Sequence, residues 1–178
     1  MKVLIATEKP FAAVAVNGIK EIFNEAGFEV VLLEKYTEKS ELLAAVESVD
    51  AIIIRSDKVD AEVLDAAKNL KIVVRAGAGY DNVDIEAATA HGVVVMNTPG
   101  QNSNAVAELV VGMLLYAVRN QFAGTSGTEL MGKKIGLMAF GAVSQNLARI
   151  AKGFGMSVAG YSPTGRPQKI VDAGCEVS

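Results

Sequence analysis

Cysteine and histidine are almost missing from this chain of 178 residues: Cys175 and His91 stand alone. A single cysteine excludes an internal disulfide and any CxxC or Cys/His zinc set. A single histidine leaves little room for metal binding or histidine-based catalysis. An excess of one charge is missing too. The 17 Lys and Arg against 20 Asp and Glu leave a net charge of −3, with no electrostatic invitation to nucleic acid or to an anionic membrane. Long apolar runs are absent. Met1 to Thr7 (MKVLIAT) is too short for a signal peptide or a membrane span. The expectation is a protein of the reducing cytoplasm with no membrane or nucleic-acid partner, a homodimer being left open.

Core material is plentiful, at 51% hydrophobic and 21% charged residues. Over the first hundred residues it alternates between two textures. Short β-branched runs (Val3–Ala6, Glu29–Leu33, Ala51–Ile54, Lys71–Val74, Val93–Met96) are separated by helical patterns. In the first pattern Phe11, Val14, Ile19, Ile22 and Phe23 fall close to one face, and Gly27 stops it. The others lie at about Ser40–Val46, Ala61–Ala67 and Ile85–Ala90. Runs that are apolar throughout suit strands buried on both faces, hence a parallel sheet covered by helices. The fold class is α/β, with a flavodoxin-like, parallel five-stranded domain over residues 1–99.

The turn residues Asn97 to Ser103 (NTPGQNS) break the alternation. A long helix follows from about Asn104 to Arg119, with Val106, Leu109, Val110, Met113, Leu114 and Val118 on its apolar face. Gln101, Asn102 and Ser103 are placed to cap it. Residues 124–128 (GTSGT) read as a loop, Lys134–Phe140 as a strand, Ala142–Phe154 as a helix and Met156–Tyr161 as a strand. Pro167 opens a short helix, and Cys175-Glu176-Val177 begins another strand. Residues 100–178 thus read as the first part of a Rossmann-type dinucleotide-binding domain. His91 suits a helix C-terminus, and Cys175 a small buried site.

Three segments can carry chemistry. In Arg75-Ala76-Gly77-Ala78-Gly79 two glycines among small residues expose successive N–H groups, able to form an anion-binding nest at the carboxyl edge of the sheet. Arg75 sits at its rim, and Arg55 occupies the corresponding place one strand earlier. The alternative is a tight connection with two solvated arginines. The second segment, Ile135 to Ala148, has the strand, glycine turn and helix of a dinucleotide fingerprint. Of its three glycine positions (Ala139, Gly141, Ser144) only the middle one holds glycine. The third lies where an acid for the ribose 2′-hydroxyl is expected. Ser162 stands there instead, with Arg166 four residues on, which suits a 2′-phosphate better unless the arginine is merely solvated.

Lys71–Asp84 (KIVVRAGAGYDNVD), Val95–Leu109 (VMNTPGQNSNAVAEL) and Gly132–Ala151 (GKKIGLMAFGAVSQNLARIA) resemble the D-2-hydroxyacid dehydrogenases. Within that family they look like the short phosphoglycerate dehydrogenase branch, as do residues 7–10 (TEKP) and 54–58 (IRSDK). The resemblance implies an oxidoreductase of serine biosynthesis moving a hydride between C2 of 3-phosphoglycerate and NAD. It implies that N–H groups of Ala76, Gly77, Ala78 and Gly79 hold the substrate carboxylate. Arg55 and Arg75 face the phosphate of this small anionic substrate, and Asn102 and Ser103 line the cleft. Gly141, with Ala139, Ala142 and Val143 around its turn, holds the cofactor pyrophosphate. Ser162 and Arg166 leave the cofactor as NAD or NADP. The family's catalytic arginine, glutamate and histidine or lysine all follow the third strand of the cofactor domain, beyond Ser178. The expectation is a truncated form, inactive alone, with no catalytic residue among these 178. Two other expectations remain: a non-catalytic small-anion-binding module, and an NADP-linked glyoxylate or hydroxypyruvate reductase.

Overall fold

β-branched runs favour extended backbone, and three of the runs here are followed by a segment with its own helix-start chemistry. The computed structural model describes residues 1–178, in which these segments form two compact units, Met1–Pro99 and Gly100–Ser178. In the first unit the order is β1 (Lys2–Thr7), α1 (Ala13–Glu25), β2 (Glu29–Glu34), α2 (Lys39–Val46), β3 (Ala51–Ile54), α3 (Ala61–Ala66), β4 (Ile72–Arg75), α4 (Ile85–Ala90) and β5 (Val94–Asn97). Local capping explains three of the starts. The Glu41 carboxylate accepts from the Glu38 N–H (3.1 Å) at α2. Asp60 accepts from Val63 N–H (3.3 Å) at α3, and Asp84 from Ala87 N–H (2.9 Å) at α4.

The five strands are all parallel, in the order β2-β1-β3-β4-β5. The chain therefore moves outward from β1 to β2 and then crosses to β3 on the other side. Leu4, Ile52, Ile54 and Val73 pack with Leu42, Val46, Val63, Leu64 and Ala88 from α2, α3 and α4 on one face. On the opposite face Val3, Ile5, Ala51 and Ile53 meet Ile19 and Phe23 of α1.

Two expectations about burial are corrected. Only β1 and β3 are buried on both faces. On the edge strand β5, Val94 and Met96 are exposed, because only the Val93 and Val95 side meets helices. In α1 the inward residue is Val16, with Ile19 and Phe23 beside it at i, i+3 and i+7. Phe11 precedes the helix, and Val14 and Ile22 point to solvent.

The second unit contains α5 (Ser103–Val118), β6 (Lys134–Met138), α6 (Ala142–Gly153), β7 (Ser157–Tyr161), α7 (Gln168–Asp172) and β8 (Glu176–Val177), with a parallel sheet in the order β6-β7-β8. Its core joins Ala107 and Val111 of α5 to Leu147, Ala148 and Ala151 of α6, with Leu137, Phe140, Val158 and Ile170. The inward stripe of α5 is thus centred on Ala107 and Val111. Val106, Leu109 and Met113, expected on the buried face, are exposed. Small Ala107 allows the close approach to α6 that bulkier neighbours would prevent. Cys175 is half-buried at the edge of this core, its thiol facing the Ala173 carbonyl at 3.6 Å. No helix is long and apolar enough to cross a membrane.

His91 caps the end of α4. Its Nδ1 lies 2.8 Å from the Ala87 carbonyl and its Nε2 2.8 Å from Asp65 Oδ1. Two acceptors facing two ring nitrogens are satisfied together only by the imidazolium. The Ala87 carbonyl and then the Asp65 carboxylate accordingly hold the His91 pKa above its ordinary value. A raised folded pKa gives stability fully present below the unfolded value of about 6.5 and lost as pH rises through the folded one. The stability gap between the wild type and His91→Ala should therefore shrink from pH 5 to pH 9 in urea unfolding. A gap independent of pH would show that the charged ring contributes nothing.

Candidate functional site

Ligand-binding loops in parallel sheets leave from the carboxyl ends of strands, where helix starts and free N–H groups gather. In the first unit three such ends adjoin: those of β1, β3 and β4. After β4 the chain runs through the small residues 76–79, which the structure ties down at several points. Ala76 N–H donates to the Ile54 carbonyl (2.8 Å) and Gly77 N–H to that of Arg75 (2.8 Å). Thr98 N–H donates to the Gly77 carbonyl (2.9 Å), and Asn97 Nδ2 to that of Ala78 (2.7 Å). Of the four N–H groups singled out, those of Ala76 and Gly77 are therefore engaged inside the fold. Those of Ala78 and Gly79 have no intramolecular acceptor.

The Arg75 side chain folds back over this loop. A Cβ on Gly77 would lie 1.5 Å from Arg75 Nη1, so any larger residue there would push the flexible arginine side chain off the loop. The Arg75 Nε is buried without a hydrogen-bond partner. Arg55, by contrast, is exposed at the end of β3. It lines a cavity of about 260 Å³ with Glu8, Lys9, Ser56 and Asp57.

Asp57 organises that cavity, and no local sequence signal marked it for this role. Only 3% exposed, it accepts from Glu8 N–H (2.7 Å), the Tyr36 hydroxyl (2.8 Å) and Arg55 N–H (3.2 Å). Its own carbonyl accepts from Asn82 Nδ2 at 2.7 Å. One residue thus fastens the segments after β1, β2, β3 and β4. Burial, reinforced by the Asp57 carboxylate, pushes the Tyr36 hydroxyl pKa far up, so it stays a donor.

In the second unit, β6 ends at Met138, two residues before the predicted Phe140. Ala139 takes a left-handed conformation (φ 72°), which turns Phe140 into the core. Glycine is favoured at such a position, and a Cβ there costs about 1–2 kcal/mol. Gly141 is the N-cap of α6, with no acidic residue in the first turn and no side-chain cap. The first helical bond runs from Gln145 N–H to the Gly141 carbonyl (3.0 Å). The N–H groups of Ala142, Val143 and Ser144 are left at the helix start, and nothing lies within 4 Å of where a Gly141 Cβ would be. This is the chemistry a pyrophosphate needs.

Beyond β7 the fit is poorer. Ser162 Oγ is drawn into its own turn, accepting from Arg166 N–H (3.1 Å) and lying 3.4 Å from Thr164 Oγ1. No carboxylate is supplied, while the turn brings the Arg166 backbone back to Ser162.

Asn102 and Ser103 open α5, Ser103 buried and Asn102 exposed. The expected side-chain cap is absent, a correction to the sequence reading. Asn102 lies near φ −95°, ψ 3°, and the turn is held by its backbone: Ser103 N–H donates to the Gly100 carbonyl (3.1 Å). The next residue, Asn104, does the polar linking instead. It donates to Glu108 Oε1 (2.6 Å) and accepts from Arg149 Nη2 (2.7 Å), joining α5 to α6.

The D-isomer specific 2-hydroxyacid dehydrogenase catalytic-domain family matches residues 8–171. A hydroxypyruvate reductase of Thermotoga maritima is 38% identical over 162 residues, which cover 81% of this chain and 53% of the relative. A D-3-phosphoglycerate dehydrogenase of Homo sapiens is 38% identical over 163 residues, covering 84% and 30%. The crystal structure of NAD+-bound 3-phosphoglycerate dehydrogenase from Entamoeba histolytica superposes with a TM-score of 0.86 at 48% identity, covering 92% of this chain and 54% of that one. This chain belongs to the D-isomer specific 2-hydroxyacid dehydrogenase family. It spans about half the length of the Thermotoga and Entamoeba proteins and about a third of the human one.

Proposed function

We propose that this chain carries the substrate-binding domain, residues 1–99, and the first part of the dinucleotide-binding domain, residues 100–178, of an NAD(P)-linked dehydrogenase acting on a phosphorylated 2-hydroxy acid. 3-Phosphoglycerate is the favoured substrate. The observation that carries this reading is the pair of unengaged N–H groups at Ala78 and Gly79, beside the end of β3 where Arg55 stands. Two successive free N–H donors suit a carboxylate, and a guanidinium suits a phosphate. Ala76 and Gly77 shape the loop, and Arg75 lies over it. Asn102 and Ser103, at the start of α5, would contribute further substrate contacts.

Gly141, Ala142 and Val143 would hold the cofactor pyrophosphate, with Ala139 setting the turn. The bound nicotinamide would exchange a hydride with substrate C2. A second reading, an NADP-linked reductase of glyoxylate or hydroxypyruvate, is favoured by the serine at 162 and the returning Arg166 turn. A protein that binds the anion without chemistry is the remaining alternative.

Calorimetry tests the reading. 3-Phosphoglycerate should bind, and Arg55→Ala or Arg75→Ala should weaken binding by about 1–3 kcal/mol, the scale of a charge-assisted contact. No loss in either variant would remove both arginines from the site. NADP binding tighter than NAD, lost on Arg166→Ala, would favour the second reading.

A further inference from the structure

The strand order β2-β1-β3-β4-β5 has its topological switch point between β1 and β3. In open α/β sheets ligands settle in the crevice outside the carboxyl ends of the strands flanking that point. The 260 Å³ cavity lies there, formed by Glu8 and Lys9 after β1 and Arg55, Ser56 and Asp57 after β3. It holds two cations, and neither Lys9 nor Arg55 forms an ion pair within the fold. Two carboxylates also line it. Both oxygens of Asp57 are already taken by donors, Glu8 N–H and Tyr36 on one and Arg55 N–H on the other. Glu8 carries the remaining free carboxylate, so the two cations share the cavity with one unengaged acid.

The backbones that carry the two cations are held by the same buried carboxylate, through the N–H of Glu8 and the N–H of Arg55. Pro10 further restricts Lys9, since a residue before proline is pushed to extended backbone. A lysine and an arginine on backbones fixed in this way bring two cations to one cavity, and the fixed backbone lowers part of the ordering cost of binding a dianion.

We propose that Lys9 is the second phosphate-recognition residue of this site, acting with Arg55, and that it selects phosphorylated over unphosphorylated 2-hydroxy acids. The inference rests on the substrate reading given above. Neighbouring parallel strands are about 4.8 Å apart. A small acid can therefore span from Ala78 and Gly79 after β4 to the cavity with its carboxylate at one end and its phosphate at the other. Arg55 alone would supply a planar fork. Lys9 adds a compact point charge from the segment after β1, a division of labour that suits a tetrahedral dianion.

The test is calorimetry on the full chain with 3-phosphoglycerate and with D-glycerate at fixed ionic strength. Lys9 is exposed, so Lys9→Ala should fold as the wild type does. It should weaken phosphoglycerate binding about tenfold or more, leave D-glycerate binding unchanged, and be largely restored in Lys9→Arg. A change of less than about twofold for phosphoglycerate, or equal weakening of both ligands, would overturn the role of Lys9. Should D-glycerate bind the wild type too weakly to measure, the phosphoglycerate result with Lys9→Arg rescue decides. Failure of the wild type to bind phosphoglycerate at all would instead bring down the substrate reading, and this inference with it.

Discussion

Asp57→Ala should destabilise the protein by about 2–4 kcal/mol, read from the urea midpoint at constant slope. The estimate follows from what the substitution leaves behind. Glu8 N–H, Arg55 N–H and the Tyr36 hydroxyl would lose their acceptor at a residue that is 3% exposed. The Tyr36 bond is buried, and its unsatisfied donor costs about 1–3 kcal/mol; the two backbone donors are part-buried, so water offsets part of their loss. Asp57→Asn, which keeps one acceptor oxygen, should fall between the wild type and the alanine variant. A loss below about 1 kcal/mol would mean that water replaces the carboxylate, and the cavity would then not depend on it. The same residue links stability to function, because the segments it fastens carry Lys9 and Arg55.

Gly160→Val should cost about 1–3 kcal/mol through overpacking, and it should also weaken cofactor binding. Gly160 lies within β7, where an added Cβ would sit 2.9 Å from Phe140 Cδ2 and 3.2 Å from Ile170 Cγ1 and Cγ2. Both neighbours are core residues of the second unit, so neither can swing out to solvent. Phe140 is bonded directly to Gly141, the N-cap of α6. A displaced Phe140 therefore shifts the turn whose N–H groups suit a pyrophosphate. Thermal unfolding and NAD titration of the same variant read the two effects. Unchanged cofactor affinity in a destabilised variant would separate the packing of Phe140 from the geometry of the turn.

The parallel α/β architecture was legible because it is written in local texture: short apolar runs separated by helical patterns, with Gly27 as a stop after the first. Membership of the family was legible in the stretches around residues 71–84 and 132–151. Burial was less so. The apolar stripe of α5 is broad enough that sequence could not tell the Leu109 and Met113 side from the Ala107 and Val111 side. The outcome depends on α6, which comes dozens of residues later and accepts only a small side chain at the contact. Strand β5 reads as fully buried, yet it lies at an edge, and edge position is a property of the sheet.

The sequence by itself determined the order of elements, the glycine at 141 that opens the start of α6, and the small residues 76–79 at the end of β4. These are short-range matters of backbone propensity and spacing. Tertiary structure decided that the Ala76 N–H is spent, because its acceptor is the Ile54 carbonyl of the neighbouring strand, whereas the Gly77 N–H is spent locally, on the Arg75 carbonyl two residues back. It likewise decided that Arg75 folds over Gly77 and that Asp57 binds the strand-end segments together. An N–H donates to one acceptor at a time, and for contacts of this range the acceptor within reach is set by the packing of segments far apart in the chain.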